Sequence, residues 1–279
     1  MSVFADLHSH SRASDGYLPP AEVVALAARS SVAVLALTDH DTLDGIAEAR
    51  AAAERHAIRL VPGVEVSSVH RGRDLHVLGL FVDPESAPLR AFLARFRGDR
   101  ERRMREMVER ARERGIDVSI EDVLDEAGGG MPARPHLARI LVKKRIARDV
   151  GDAFDRFLGE GKPLYAPRPR PEPGAVADAI RAAGGLSFVA HPGVSRLDRI
   201  DLLNLKSAGL DGIEVWHSDH SSSDADKYER LAKLDSFLVS GGSDFHGAGH
   251  AGRDGLGRAG LSGEAFRRLE AALAASKRG

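Results

Sequence analysis

Val32-Ala33-Val34-Leu35-Ala36-Leu37 runs directly into Thr38-Asp39-His40-Asp41-Thr42. The first six residues are a near-continuous apolar run, the pattern of a strand buried on both faces of a parallel sheet. Polar and ionisable side chains follow at once, where the strand must end. The arrangement recurs along the chain. Val3–Leu7 reads as a first strand and leads into His8-Ser9-His10. Arg59–Pro62, Val64–Ser68 and Leu75–Phe81 read as further strands, with Arg71-Gly72-Arg73 suggesting a hairpin-like return between the last two. Leu186–Ala190, Ile213–Trp216 and Phe237–Ser240 complete the set. Between them lie helical patterns: Pro20–Ser30, with proline in its first turn, Leu43–His56, Ala175–Ala183, Lys227–Leu234 and Gly263–Ser276. Strands alternating with helices predict an α/β fold with a mainly parallel sheet, open or closed into a barrel.

The middle of the chain departs from this rhythm. From about Arg97 to Leu158 it is helical and highly charged without a convincing strand, and Gly128-Gly129-Gly130 and the proline-rich 163–173 stretch punctuate it. The division expected is a first α/β part over 1–95, an all-helical insertion over 96–174, and a second α/β part over 175–279. With 279 residues, 43% of them hydrophobic, the chain has enough apolar surface for one large catalytic domain. Its net charge of −1 gives no global field toward nucleic acid or membrane, so a polyanion must meet a local basic patch. The absence of cysteine excludes disulfides, thiolate metal sites and cysteine nucleophiles. Met-Ser-Val-Phe-Ala-Asp offers no charged leader, so no signal peptide is expected, and no apolar run is long enough for a membrane span. The cytoplasm is the expected compartment, with no obligate protein partner.

Chemistry concentrates at strand ends. His8 and His10, two residues apart, share a face if the strand continues. Asp15 follows in a Ser-Asp-Gly turn, and His40 follows the second strand. Glu65 and His76 lie within strands; His191 sits in Ala190-His191-Pro192, and Asp244 and His246 in Ser243-Asp244-Phe245-His246. Six histidines and three carboxylates exceed what a core tolerates without a compensating ion. The donors are nitrogen and oxygen without sulfur, which suits Mn²⁺, Zn²⁺ or Fe²⁺. A carboxylate among imidazoles can bridge two ions that hold a hydroxide and neutralise a transferring phosphoryl group, which makes metal-assisted hydrolysis the leading reaction class. Asp39 and Asp41 are read as orienting His40 or its loop. His56, His70 and His250 are read as surface residues. Gly255-Leu256-Gly257-Arg258-Ala259-Gly260 is not a dinucleotide fingerprint, because no βαβ unit surrounds it.

These segments, taken in order, resemble the polymerase-and-histidinol-phosphatase (PHP) family. The resemblance implies a distorted (β/α)₇ barrel with a trinuclear centre of divalent ions, manganese favoured. It implies that His8, His10, Glu65 and Asp244 hold one ion, that Glu65, His76 and His191 hold a second with Glu65 as the catalytic bridge, and that Asp15, His40 and His246 hold a third. The helical insertion and Arg134-Pro135-His136-Leu137-Ala138-Arg139 are similar to the family's small nucleotide phosphoesterases, which include 3′,5′-nucleoside bisphosphate phosphatases and 5′-to-3′ exoribonucleases. That branch implies removal of the 3′-phosphate of a nucleoside 3′,5′-bisphosphate, or alternatively 5′-to-3′ degradation of short RNA.

Substrate binding is expected from the insertion. Arg95, Arg97, Arg100, Arg102, Arg103 and Arg105 crowd one segment, and Arg100 and Arg103 share a helical face. Guanidinium forks match phosphate oxygens, whereas Glu101, Glu106, Glu109 and Glu113 would pair much of the same charge on a merely solvated helix. The resemblance turns Arg100 and Arg103 toward substrate. Arg134 and His136 are expected to clamp a second phosphate, Arg12 and Ser14 to contact substrate, and His220 to contact phosphate or protonate the leaving group. Two other classes compete. An amidohydrolase also uses a histidine-rich barrel but commonly needs a strand lysine, which the core strands lack; a non-catalytic metal-binding domain would not need a complete ligand set.

Overall fold

Strands that are apolar on both faces can be stable only as a middle layer, and this chain supplies both covers. The computed structural model describes residues 4–247 and 253–276. In chain order the barrel begins with β1 (Ala5–Asp6), α1 (Pro20–Arg29), β2 (Val34–Leu37), α2 (Ile46–His56), β3 (Arg59–His70) and β4 (Arg73–Leu80). Then come α3 (Ala87–Arg112), α4 (Ile120–Ala127), α5 (Arg134–Lys143), α6 (Val150–Ala153) and a π-helical turn over Phe154–Leu158. The barrel resumes with α7 (Pro173–Ala182), β5 (Leu186–Val189), α8 (Arg199–Ser207), β6 (Gly212–His217), α9 (Ser222–Leu234), β7 (Leu238–Gly242) and α10 (Gly263–Ser276).

The strands stand in the order β1 to β7, parallel except that β4 runs antiparallel to both β3 and β5. Beyond β1 and β7 the chain closes the sheet: Leu7 N–H bonds Gly241 O at 3.1 Å and His10 N–H bonds Phe245 O at 2.8 Å. The result is a nearly closed seven-stranded α/β barrel. Side-chain alternation sorts the two cores. Leu35, Leu37, Val64, Val66, Val77 and Val189 pack outward under α1, α2, α7 and α8. Val34, Ala36, Val61, Leu78, Leu80 and Phe188 fill the interior, closed at one end by Phe266 and Leu269 of α10.

The antiparallel β4 is what distorts the barrel. Its turn at Arg71 and Gly72 uses positive φ at both residues, 51° and 77°. Because β4 points back, its early residue His76 pairs with Ser67 at the same end as the carboxyl ends of the parallel strands. Arg59–Pro62 and Val64–Ser68, expected as two strands, are one continuous strand. Pro62 is accommodated because the β2 ladder ends at Leu37↔Pro62 and the β4 ladder begins at Gly63↔Leu80, so its missing N–H interrupts neither. Helix α8 was not expected. Asp198 caps it with a reciprocal bond to Asp201, but its apolar residues give no extended period. Val3 of the expected first strand lies outside the described residues.

The helices of the middle segment have a core of their own, built from Met104, Met107, Val123, Leu137, Leu141, Leu158 and neighbours. The boundary expected at 95/96 falls inside α3. Leu89 and Leu93 of that helix pack into the barrel's outer core, while Met104 to Ala111 belong to the second core. One continuous helix thus ties the insertion to the barrel. Among the described residues no helix is long and apolar enough to cross a membrane.

Candidate active site

The alternation that fills the barrel also aims its polar residues. Val61, Gly63 and Glu65 share one face of β3; Leu80, Leu78 and His76 share one face of β4. Both series run from the interior core to the carboxyl end. β3 extends beyond β2, so Glu65 is bridged to His40 in the loop after β2. That overhang explains why two candidate ligands lie within strands and still reach the end of the barrel.

All nine expected ligands meet there. Glu65 is 1% exposed and stands at the centre. Its Oε1 lies 2.8 Å from His76 Nδ1 and 3.1 Å from His191 Nε2. Its Oε2 lies 3.3 Å from His8 Nε2, 3.2 Å from His10 Nε2 and 3.1 Å from His40 Nδ1. Asp244 Oδ1 lies 3.3 Å from His8 Nε2 and 3.1 Å from His10 Nε2. Asp15 faces His246 Nε2 at 3.4 Å and His40 Nε2 at 3.8 Å. Donor atoms close enough to share an ion fall into sets that include His8, His10, Glu65 and Asp244; His10, Asp15, His40 and His246; and His40, Glu65 and His76.

The donors behave as a cage for cations. His8 Nε2, His10 Nε2, His40 Nδ1, Glu65 Oε2 and Asp244 Oδ1 are buried without a directed hydrogen bond, although buried polar atoms are otherwise almost always paired. Burial opposes ionisation of Glu65, yet His40, His76 and His8 hold its carboxyl well below the usual range. Burial likewise opposes charge on His10, but Asp244 and Glu65 outweigh it and raise its pKa to about 10. At His40 and His191 burial prevails and the values fall to about 3 and about 4. Ionised carboxylates beside unpaired imidazole nitrogens are the combination that divalent ions satisfy. The residues present therefore fit such ions.

A supporting layer orients the candidate ligands. Glu214, fully buried on β6, places Oε1 3.0 Å from His8 Nδ1 and accepts the His191 N–H on Oε2 at 2.7 Å. With its Nδ1 proton held there, His8 presents the Nε2 lone pair to the cluster. His217 Nδ1 accepts the Asp219 N–H at 3.0 Å, which places its own proton on Nε2, 3.2 Å from Asp244 Oδ2. Arg253 also binds Asp244 Oδ2, at 2.7 Å. Asp39 accepts from Ser11 N–H and from the hydroxyls of Ser11 and Ser14, while Asp41 accepts from Ser67 N–H and Arg100; neither turns to the cluster. Asp41, His191 and Asp244 adopt φ of 55°, 29° and 52°, a left-handed conformation uncommon outside glycine and often kept at functional sites. Gly242 permits the close approach of β1, since a Cβ there would lie 2.3 Å from His8 N.

The cluster opens into a cavity of about 720 Å³. Asp15, His40, His76 and His246 form its floor, Arg100, Arg103, Arg134 and Arg168 one flank, and Asp219 with Arg253 another. Pro132, Val150 and Phe154 contribute an apolar outer wall. Arg103 is held by Ala166 O at 2.6 Å and lies over the Tyr165 ring; burial and then Arg134 depress its pKa to about 9. Arg134 lies over Phe154 and near Asp74.

Five residues depart from expectation. His220 does not line the cavity: its Nε2 accepts the Gly193 N–H at 3.0 Å, so its proton is on Nδ1 and bonded to Val215 O at 2.8 Å. Neither nitrogen remains to protonate a leaving group; the ring instead supports the turn after His191. His136 is 1% exposed and accepts the Ala133 N–H at the start of α5, which is a helix cap. Ser14 is 2% exposed with its hydroxyl donated to Asp39, and Arg12 donates to Tyr17 O beside a separate recess that Arg97 also lines. His70 is not a free surface residue, since it lies partly buried 3.5 Å from Asp201. His250 lies outside the described residues, and His56 is exposed. Gly255 to Gly260 form a loop whose Gly257 N–H bonds Asp6 at 2.8 Å. The sequence reading missed Glu214, Arg168 and Arg253. Only Glu214, a carboxylate inside the apolar Ile213–Trp216 run, carried a local signal.

The chain is similar to known proteins along most of its length. The PHP domain model matches residues 6–94. The chain is 38% identical over 261 residues to a 3′,5′-nucleoside bisphosphate phosphatase of Chromobacterium violaceum, covering 89% of each chain. It is 36% identical over 245 residues to a 5′-3′ exoribonuclease of Haemophilus influenzae, covering 86% of this chain and 89% of that one. A solved structure described as an amidohydrolase from C. violaceum, with bound sulfate and no metal, matches with a TM-score of 0.88 at 36% identity over 96% of both chains.

Proposed function

The chain belongs to the PHP family of metal-dependent phosphoesterases, and from that premise we propose that it removes the 3′-phosphate from nucleoside 3′,5′-bisphosphates. One observation carries the reading: a single cavity is lined by Asp15, His40, His76 and His246 of the candidate ion cluster and also by Arg100, Arg103 and Arg134. A substrate with two phosphates uses both. The reacting phosphate meets the floor, and the other meets guanidinium forks that match its oxygens. The ligand set would hold divalent ions, two or three with manganese favoured over zinc or iron, which would supply an activated water and charge neutralisation. Glu65 would connect two ion positions, because both its oxygens are shared among imidazoles. Glu214 and His217 keep His8 and Asp244 in the ligating orientation, and Arg103 and Arg134 hold the remainder of the nucleotide.

The amidohydrolase alternative loses its main requirement, since no lysine lies on any of the seven strands. Short RNA is the second reading: the cavity is large for one nucleotide, and a 5′-3′ exoribonuclease is among the relatives. The test is product analysis with metal-reconstituted protein on nucleoside 3′,5′-bisphosphates, mononucleotides and 5′-phosphorylated oligoribonucleotides. Inorganic phosphate and a nucleoside 5′-monophosphate released from the bisphosphate are expected. Preferential release of mononucleotides from the oligomer would replace this reading with the nuclease one.

A further inference from the structure

We propose that Arg168 receives the substrate's second phosphate and that Asp41 is the positioning residue that aims it; this rests on the phosphoesterase reading above. Arg168 lies in the proline-rich segment before α7 and lines the cavity. Its side chain is 4% exposed, with one guanidinium nitrogen 3.1 Å from Asp41 Oδ2. The other terminal nitrogen, Nη1, is buried and has no hydrogen-bond partner. A purely structural arginine buried to this degree would have its donors satisfied. The charge count points the same way. Asp41 Oδ2 is shared with Arg100, whose Nε lies 2.6 Å away, so one carboxylate faces two guanidinium groups. Arg103, on the same flank, is held by the Ala166 carbonyl and has no carboxylate within ion-pair distance among the described residues. Burial and the neighbouring Arg100 hold the Arg168 pKa down at about 10, as expected where positive charges exceed their counter-ions. A phosphate dianion beside these arginines completes this arrangement; a cation there would be repelled.

Asp41 fixes where that phosphate sits relative to the reacting one. It directly follows His40 of the ion cluster, holds φ at 55°, and is tied to β3 through Ser67 N–H at 2.8 Å. Its Oδ1 is thereby committed to β3 and its Oδ2 to the arginines on the insertion side, so neither oxygen turns to the cluster. The chain His40, Asp41, Arg168 is thus a short rigid link between the ion-binding loop and the phosphate-binding flank. It sets a spacing that a mononucleotide does not need.

The test uses metal-loaded enzyme with a nucleoside 3′,5′-bisphosphate and an aryl phosphate as substrates, and a nucleoside 5′-monophosphate as inhibitor of aryl-phosphate hydrolysis. Arg168→Ala is expected to raise the KM for the bisphosphate and to lower its kcat/KM relative to the aryl phosphate by about 10- to 150-fold. Inhibition by the 5′-monophosphate weakens by a similar factor. Arg168→Lys, which preserves charge without the planar fork, recovers part of the loss and carries the test if the alanine variant does not fold. Asp41→Asn moves KM for the bisphosphate more than kcat. If the parent prefers the bisphosphate and Arg168→Ala keeps that preference within about 2-fold, the inference falls while the phosphatase reading stands. If both substrates decline together with bound metal, Arg168 is a structural prop and the inference also falls. A parent that neither hydrolyses the bisphosphate nor is inhibited by the 5′-monophosphate overturns both.

Discussion

Replacing Glu214 with glutamine isolates what a residue outside the ligand set contributes to the metal site. The side chain is fully buried, and its two oxygens serve two different donors, His8 Nδ1–H at 3.0 Å and His191 N–H at 2.7 Å. Glutamine has the same shape but only one acceptor atom. With its amide nitrogen toward His191, two N–H donors confront each other and a buried donor is left unpaired. With the nitrogen toward His8, Nδ1 must become the acceptor and the imidazole proton moves to Nε2. That atom faces Glu65 and Asp244 at 3.3 Å and is the one a metal needs. Either orientation removes a hydrogen bond to a charged group, worth roughly 1.5–3 kcal/mol, or about 10- to 150-fold in equilibrium terms. Losses of ~10–100-fold are typical when the partner of a ligating histidine is removed. Metal per chain should be measured by elemental analysis after dialysis at defined free metal, alongside activity across a metal titration and thermal unfolding of the metal-free protein. The expected outcome is weaker metal binding with activity largely regained at high metal, because all nine ligands remain. Metal affinity within about 2-fold of the parent would refute the orientation argument. Lost affinity accompanied by loss of folding would show that Glu214 supports the barrel instead.

Three further outcomes are expected. The purified protein should retain more than one divalent ion per chain, and EDTA should abolish activity; full activity in EDTA with only trace metal would defeat the metal reading. Glu65→Gln should reduce activity more than Asp41→Asn, since Glu65 touches five imidazoles whereas the Asp41 side chain, among the described residues, binds Ser67, Arg100 and Arg168, and losses at such supporting positions run to ~10–100-fold. Arg103→Ala and Arg134→Ala should each cost on the order of 10- to 150-fold in kcat/KM for a bisphosphate and much less for an aryl phosphate that meets only the floor. Parallel losses on both substrates would assign these arginines to folding.

The α/β class, the strands and most helices followed from local patterns, because an apolar run of period two or a continuous one can bury itself in only a few ways. The candidate ligands were legible as a cluster for a related reason. Ionisable residues at the ends of apolar strands are costly unless something recruits them, so their clustering along the chain already implied an ion site. What distinguished useful from idle residues was not local. Arg100, Arg103 and Arg134 read much like Arg12, yet only the packing of α3 and α5 over the barrel brings the first three to the cavity. His220 and His136 looked chemical because histidine is chemically versatile; their backbone partners, Gly193, Val215 and Ala133, show that here the rings support turns and caps. Arg168 and Glu214 matter through residues 127 and 206 positions away along the chain, Asp41 and His8 respectively. Local composition reports which groups need a partner. Only closure of the barrel and docking of the insertion determine which partner each group meets, because those contacts join segments that carry no information about one another until they pack.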